Sequence, residues 1–281
     1  MQTPELIGAH IYTGGDLLSV FERAKNLGCG VFQIFTKSQR QWQAKPLSPD
    51  LIENFRRHIS QYNIKTIFAH ASYLVNLASP DTELWKKSIK ALIEEILRCG
   101  ALSIPYLVVH AGFSSGKDSS YGLNRLATAV KHVIEETEKV DVKILIENMA
   151  GQGSSLCSSF EELAELLSKT SAARVGLCLD TCHLFSAGYD LNNKLDDILK
   201  QIERTIGFDN IHLWHLNNSK ERLNSRKDRH QHIHSGYIRR EAFGSIIMAF
   251  PDTPGIIETP KEKGMDEKNL SILRSFIRRK G

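Results

Sequence analysis

Six residues of metal-binding type recur along the chain at nearly even spacing. His70, His110, Glu147, Asp180, His215 and Glu258 follow one another at gaps of 33 to 43 residues. Each ends, or nearly ends, a short apolar run. Taken singly, a His in such a place is a satisfied polar group, and an Asp or Glu caps the next helix. Taken together they read differently. Imidazoles and carboxylates buried without partners are costly, so six that converge need a strong counterion, and a divalent cation supplies it. Three further candidates lie just beyond such runs: His183 in DTCH, and Asp228 with His230 in D-R-H. By spacing alone, D-R-H reads as solvated surface charge. The whole set is five His and four carboxylates, which suits Zn²⁺, with Mn²⁺ or Fe²⁺ as alternatives, and needs no thiolate. Nine ligands exceed the needs of one ion and would serve two or three, some carboxylates bridging.

Clustered divalent ions with mixed nitrogen and oxygen ligands suit phosphoester hydrolysis. One pair can lower the pKa of a water, and another ion can stabilise the leaving oxygen. No P-loop, G-x-G-x-x-G or G-x-S-x-G element competes. The glycines of AGQGSS (Ala150 to Ser155) follow a strand but lack the Walker lysine.

These residues need elements that aim them at one place. Eight apolar runs recur: 6–10, 31–35, 65–70, 106–110, 143–148, 175–180, 211–216 and 255–259. Runs of this kind suit strands buried on both faces, as in a parallel sheet. Helical periodicity fills the intervals, notably 83–99 and 124–140, the latter with Asn124 as a candidate cap. At 158–169, Ser158 with a Glu three residues later forms a capping-box pattern. Strand alternating with helix implies right-handed parallel crossovers, and eight strands close a (β/α)8 TIM barrel, an α/β fold. Such a barrel needs about 250 residues, so the 281 here fit one domain. No linker or composition break divides the chain. Active sites of these barrels lie at the C-terminal ends of the strands, where the six residues fall.

Composition is ordinary: 41% hydrophobic and 24% charged. That excludes a disordered, collagenous or coiled-coil chain. No run of about 18 apolar residues is present, so no membrane span is expected. The opening MQTPELIGAH lacks a basic region before an apolar run, so no secretory signal is expected either. The five cysteines are odd in number and form no C-x-x-C pair. Free thiols in a reducing cytoplasm follow. The net charge of +4 permits an anionic partner without demanding one. The basic run Ser219 to His234 reads, by charge alone, as surface.

Several longer strings sharpen this. FTKSQRQW (35–42), HASYLVN (70–76), IENMAGQG (146–153), LDTCHLFSAGYD (179–190), HLNNSK (215–220), DRH (228–230) and ETP (258–260) occur in one order over nearly the whole chain. In these strings the chain resembles the endonuclease IV family of apurinic/apyrimidinic (AP) endonucleases. The resemblance implies a barrel spanning 1–281, with three Zn²⁺ and DNA-binding loops at the C-terminal ends of the strands. By position, His70, His110 and Glu147 would hold one ion. Glu147 would bridge to a second, also held by Asp180, His215 and Glu258. His183, Asp228 and His230 would hold the third. The resemblance also selects His215 over His212, which spacing leaves open. It implies a monomeric, cytoplasmic enzyme of base excision repair. The phosphodiester 5′ to an abasic site in double-stranded DNA would be hydrolysed to a 3′-hydroxyl and a 5′-deoxyribose phosphate. Blocking groups on 3′ ends would be removed as well. Glu147 and Glu258 would position or activate the attacking water, and Arg40, Tyr73 and Leu74 would enter the duplex at the lesion. An aromatic and an aliphatic wedge suit the gap left by a flipped nucleotide, and an abasic nucleotide has little stacking to lose. Read without the resemblance, Tyr73 and Leu74 pack on the following helix.

The chain departs from the family pattern in places. The opening G-A-H-I-Y-T-G-G is one residue short between His10 and the Gly pair. Asn218 stands where Asp is common. After D-R-H, the chain has H-S-G (His234 to Gly236) where G-E-G is usual, with His232 an extra histidine. These changes spare the ligand set but alter the loop beside the third ion, where His234 is a candidate for contacting DNA phosphate or tuning that ion. Two rivals stand beside this reading: a metal-dependent sugar isomerase on a related barrel, and a catalytically silent lesion binder.

Overall fold

All eight apolar runs form strands. The computed structural model describes residues 6–278, so the N-terminal segment 1–5, on which the leader expectation partly rests, lies outside the described residues. The barrel strands are β1 (Ile7–His10), β2 (Val31–Ile34), β3 (Thr66–His70), β4 (Tyr106–His110), β5 (Lys143–Glu147), β6 (Val175–Asp180), β7 (Ile211–His215) and β10 (Gly255–Ile257). They close in the order β1-β2-β3-β4-β5-β6-β7-β10, every neighbour parallel. This is the (β/α)8 barrel that the strand–helix alternation predicts.

The barrel lumen is built on the period of two. Val31, Phe68, Val108, Leu145, Cys178, Leu213 and Ile256, one from each of seven strands, pack into a single buried apolar layer. Two residues further along each chain, this layer gives way to polar side chains. Register carries that change around the barrel, since His110 pairs with Glu147 and Asp180 with His215 across neighbouring strands. Residues of the other parity, such as Leu107, Val109 and Ile146, join the outer core under the helices.

Local signals set the helix ends. Helix α3 (Thr82–Ala101) begins where Asp81 accepts the N–H groups of Glu83 and Leu84. Helix α4 (Ser119–Glu136) is capped by Asp118, which accepts from the Tyr121 N–H. It therefore starts five residues before Asn124, whose backbone lies inside the helix. Helix α5 (Phe160–Ser168) uses Ser159 as its cap. The capping box is thus shifted by one residue, and Glu162 reaches back to the Ser158 N–H at 3.0 Å. Helix α6 (Thr181–Ala187) ends at Gly188, whose φ of 112° lies in the region that favours glycine.

A feature absent from the sequence reading is a small antiparallel hairpin over the mouth, β8 (Asn218–Ser219) with β9 (His230–Gln231). Strands of two residues carry no periodicity to detect. All five cysteines are buried and unbridged. Among the described residues, no helix is long and apolar enough to cross a membrane.

Candidate metal centre

At the mouth, all nine ligand-type residues meet. Their ligand atoms fall into two groups that share Glu147, namely His70, His110 and Glu147, and Glu147, Asp180, His215 and Glu258, and a third made of His183, Asp228 and His230. His70 Nε2 and His110 Nε2 lie 3.2 and 3.1 Å from Glu147 Oε2. His215 Nδ1 lies 3.0 Å from Glu147 Oε1 and 3.2 Å from Glu258 Oε2. His183 Nε2 and His230 Nε2 lie 3.2 and 3.3 Å from the two oxygens of Asp228. Two atoms each about 2.0–2.1 Å from one tetrahedral ion are about 3.3 Å apart, so these spacings match edges of coordination shells.

Hydrogen bonds give similar distances, so the proton positions decide. Three imidazoles spend one nitrogen on a backbone carbonyl: His70 Nδ1 on Ala71 O (2.8 Å), His183 Nδ1 on Asn148 O (2.8 Å) and His230 Nδ1 on Glu258 O (3.2 Å). Each must donate there. The other nitrogen then either carries a second proton toward the facing carboxylate or, in the neutral ring, turns a lone pair to it that a cation between them would satisfy. His183 Nε2 and His230 Nε2 are also buried without a hydrogen-bond partner, because the Asp228 oxygens stand at the right distance but in the wrong direction. Donor set, spacing and orphaned nitrogens therefore all fit divalent cations.

Charge is strongly ordered even among the bare side chains. Burial alone would raise the Glu147 carboxyl, yet His215 and His110 hold it well below the usual range. Glu258 is likewise held low against its burial by His215 and His10. Burial would lower His183 and His215, but carboxylates dominate. Asp180 and Asp228 hold His183 well above its ordinary value, and the Cys178 thiol with Glu258 and Glu147 does the same for His215. Cys182 also stands within reach of Asp180 and His230. Burial pushes its thiol up to about 12, so without a cation it stays protonated at neutral pH.

The hairpin and α6 deliver the third group. Asp180 Oδ1 caps α6 by accepting the His183 N–H at 3.0 Å, so a strand-end carboxylate also sets the height of a ligand on the next helix. Asn217 braces two strand ends, donating to Asp180 Oδ2 at 2.6 Å and accepting the Glu258 N–H at 2.7 Å. His234 stands apart from the nine, with Nε2 3.1 Å from Lys268 Nζ.

The DNA-directed candidates line the rim. Tyr73 is 59% exposed. Its ring packs on Phe35, His70 and His110 rather than on the helix that follows. Leu74 is half-buried beside it, and Arg40 is exposed in the loop after β2. His10, Tyr12, Phe35, Arg40 and Lys261 line an adjoining cleft of about 640 Å³.

Two residues of the mouth layer escaped sequence reasoning. Gln33 Oε1 faces His215 Nε2 at 2.9 Å while its Nε2 donates to Glu258 Oε1 at 2.6 Å. His10 Nδ1 sits 3.1 Å from that same oxygen. The missed signal was positional: each stands two residues beyond the apolar layer on its strand, where the other six carry ligands.

Comparison with known proteins follows the same lines. A family model described as xylose isomerase-like TIM barrel matches residues 21–280. The chain is 41% identical over 277 residues to "Probable endonuclease 4" of Chloroflexus aurantiacus, covering 96% of this chain and 97% of that one. It is 37% identical over 275 residues to the protein of the same name from Aquifex aeolicus, with coverage of 96% and 97%. Among solved structures, endonuclease IV from Thermus thermophilus superposes with a TM-score of 0.88 at 32% identity, covering 97% of this chain and 98% of that one. A D-tagatose 3-epimerase-like protein superposes with a TM-score of 0.76 at 20% identity, a likeness of fold alone.

Proposed function

The chain belongs to the endonuclease IV family and is a phosphodiester hydrolase, and from that premise we propose that it is a zinc-dependent AP endonuclease of base excision repair. It cleaves the phosphodiester 5′ to an abasic site, leaving a 3′-hydroxyl and a 5′-deoxyribose phosphate, and clears blocked 3′ ends at the same centre. The observation that carries this reading is the convergence of five imidazoles and four carboxylates in three adjoining groups beside an exposed aromatic wedge.

His70, His110 and Glu147 would hold one ion, Glu147 with Asp180, His215 and Glu258 a second, and His183, Asp228 and His230 a third. Bound divalent ions supply Lewis acidity and lower the pKa of water. The protein's own part is positioning and charge. Both oxygens of Glu147 are committed to imidazoles, and its side chain is fully buried. Glu258 keeps 14% of its side chain exposed at the mouth. Both oxygens of Glu258 face imidazoles too, so by its exposure alone Glu258 is the carboxylate that a water at the mouth can reach, held ionised there to position or activate that water. Tyr73 and Leu74 fill the space of an extruded nucleotide, and Arg40 engages the backbone. Because the Tyr73 ring rests on two ligand imidazoles, the wedge holds the lesion next to the reacting centre.

The test uses metal-replete protein on duplex DNA carrying one tetrahydrofuran abasic analogue, beside an intact duplex. The analogue does not undergo β-elimination. Lesion-dependent nicking on its 5′ side, with a polymerase-extendable 3′ end, is expected. No nicking by protein with its metals bound would overturn the assignment.

A further inference from the structure

Helix α3 buries a charge on a face whose other buried residues are, Ser88 apart, apolar. Glu95 shares the inner side of the helix with Leu92, Ile96 and Cys99, and its side chain is 1% exposed. Lys37, from the loop after β2, meets it there. The Lys37 side chain is 2% exposed, and Nζ lies 3.6 Å from Glu95 Oε1 and 3.6 Å from Glu94 Oε2. The desolvation cost of a buried pair is offset only in part by attraction, and apolar residues of similar volume often stabilise a protein as well or better. Stability alone therefore does not account for the pair.

Its contacts indicate a geometric role. Glu95 Oε1 accepts the backbone N–H of Ser72, the residue before Tyr73, at 3.1 Å. Ser72 Oγ donates to the carbonyl of Gln39, the residue before Arg40, at 2.8 Å. Lys37 Nζ donates to the carbonyl of Trp42 at 2.9 Å, closing a loop with Arg40 on its exposed side. One turn along α3, Arg98 donates to the carbonyl of Thr36. Each end of the pair thus holds one loop, and Ser72 ties the two loops together.

We propose that the buried Lys37–Glu95 pair is a positioning device that locks the Arg40 loop and the Tyr73–Leu74 loop into one unit, so that both enter a damaged duplex in a fixed relation. The inference rests on the DNA-directed roles given above to Arg40, Tyr73 and Leu74. Neither Lys37 nor Glu95 touches the substrate.

Two variants test it in the metal-loaded protein. Glu95→Gln keeps the shape and the acceptor for the Ser72 N–H but removes the charge facing Lys37. Ser72→Ala removes the bridge to Gln39 together with the Oγ that accepts the Leu74 N–H at 3.3 Å, a milder change that keeps the test open if the first variant fails to fold. Hydrogen exchange should accelerate in residues 36–42 and 71–76 together, with the rest of the barrel unchanged. On the tetrahydrofuran duplex, KM should rise by about tenfold, a modest part of what misplacement can cost, with kcat and bound metal unchanged. In a Tyr73→Ala background the rise should shrink, because the loop then has only Leu74 of its wedge left to place. Loosening of one loop alone overturns the proposal. So does an unchanged KM on DNA that the wild type nicks, or an effect that simply multiplies with Tyr73→Ala. Wild-type protein that fails to nick overturns the reading of the site instead, and the exchange data still decide whether the loops move as one.

Discussion

Gln33 uses both ends of one amide: its oxygen faces His215 and its nitrogen donates to Glu258. The first contact fixes the proton on His215 Nε2 and leaves Nδ1 free as a ligand. The second holds the carboxylate that a water can reach. Outer groups of this kind are worth about 10–100-fold in metal affinity or activity. Gln33→Leu should therefore weaken divalent-metal retention by about that factor in a chelator competition, and unchanged retention would deny Gln33 the role. Glu258→Gln tests the chemistry itself. Losing a positioned base costs about 10²–10⁴-fold, so kcat should fall on that scale while the circular dichroism stays native; full activity would remove Glu258 from the mechanism. The convergence of the six strand-end residues was legible because their types suggest metal and their spacing follows the βα unit. Gln33 was not, because glutamine carries no metal signal. His10 was not, because β1 carries Gly8 at the level where the other strands carry apolar side chains, so nothing marks its place in the pattern.

The hairpin of β8 and β9 shows what single elements hide from sequence. Asn218 uses every hydrogen-bonding group of its side chain. Nδ2 donates to the carbonyls of Ile233 (2.9 Å) and Ile238 (2.8 Å), and Oδ1 accepts the N–H groups of Ser219 and Ile238. A carboxylate at this position would face two carbonyls with no proton to give. The loop closes so tightly over Asn218 that a Cβ on Gly236 would stand 2.2 Å from Oδ1. Asn218 and Gly236 therefore answer to each other, and the departure at 218 belongs to the shape of the loop carrying His232 and His234. Asn218→Asp leaves two buried carbonyls unpaired, at about 1–3 kcal/mol each. Denaturant unfolding should show the loss, and metal analysis should show depletion first at His183, Asp228 and His230, because β9 carries His230. A stable variant with its full metal content would refute this coupling. The hydrogen bonds run between residues 15 and 20 apart with no periodic pattern, so the sequence named the unusual residue without its partner. Helix starts failed more simply: at α4 and α5 several capping residues stand side by side, and only the closed turn chooses among them.

For the molecule as a whole, six of the eight strands send a ligand-type residue to one mouth, so ions there would tie the barrel shut. The sign of the pH dependence then differs between metal-free and loaded protein. Without metal, His183, His215 and His70 hold their protons more tightly than in an unfolded chain, where the ordinary value is 6.5. Their contribution is fully present below that value and is lost as pH rises through the raised ones. Glu147, Glu258 and Asp228 are held low. Their contribution is present above the ordinary carboxylate values near 4 and is lost on further acidification. Metal-free protein should thus be most stable between about pH 4.5 and 6.5 and weaken above. Loaded protein should behave oppositely over that upper range, because each ion needs deprotonated ligands and gains affinity as pH rises. A free metal concentration of 100 times Kd adds about 2.7 kcal/mol per site, so the gap in Tm should be small near pH 6 and exceed about 5 °C by pH 8. Paired calorimetric scans with and without chelator would measure it. A gap that stays constant from pH 6 to 8 would mean that the nine residues are not held together by metal.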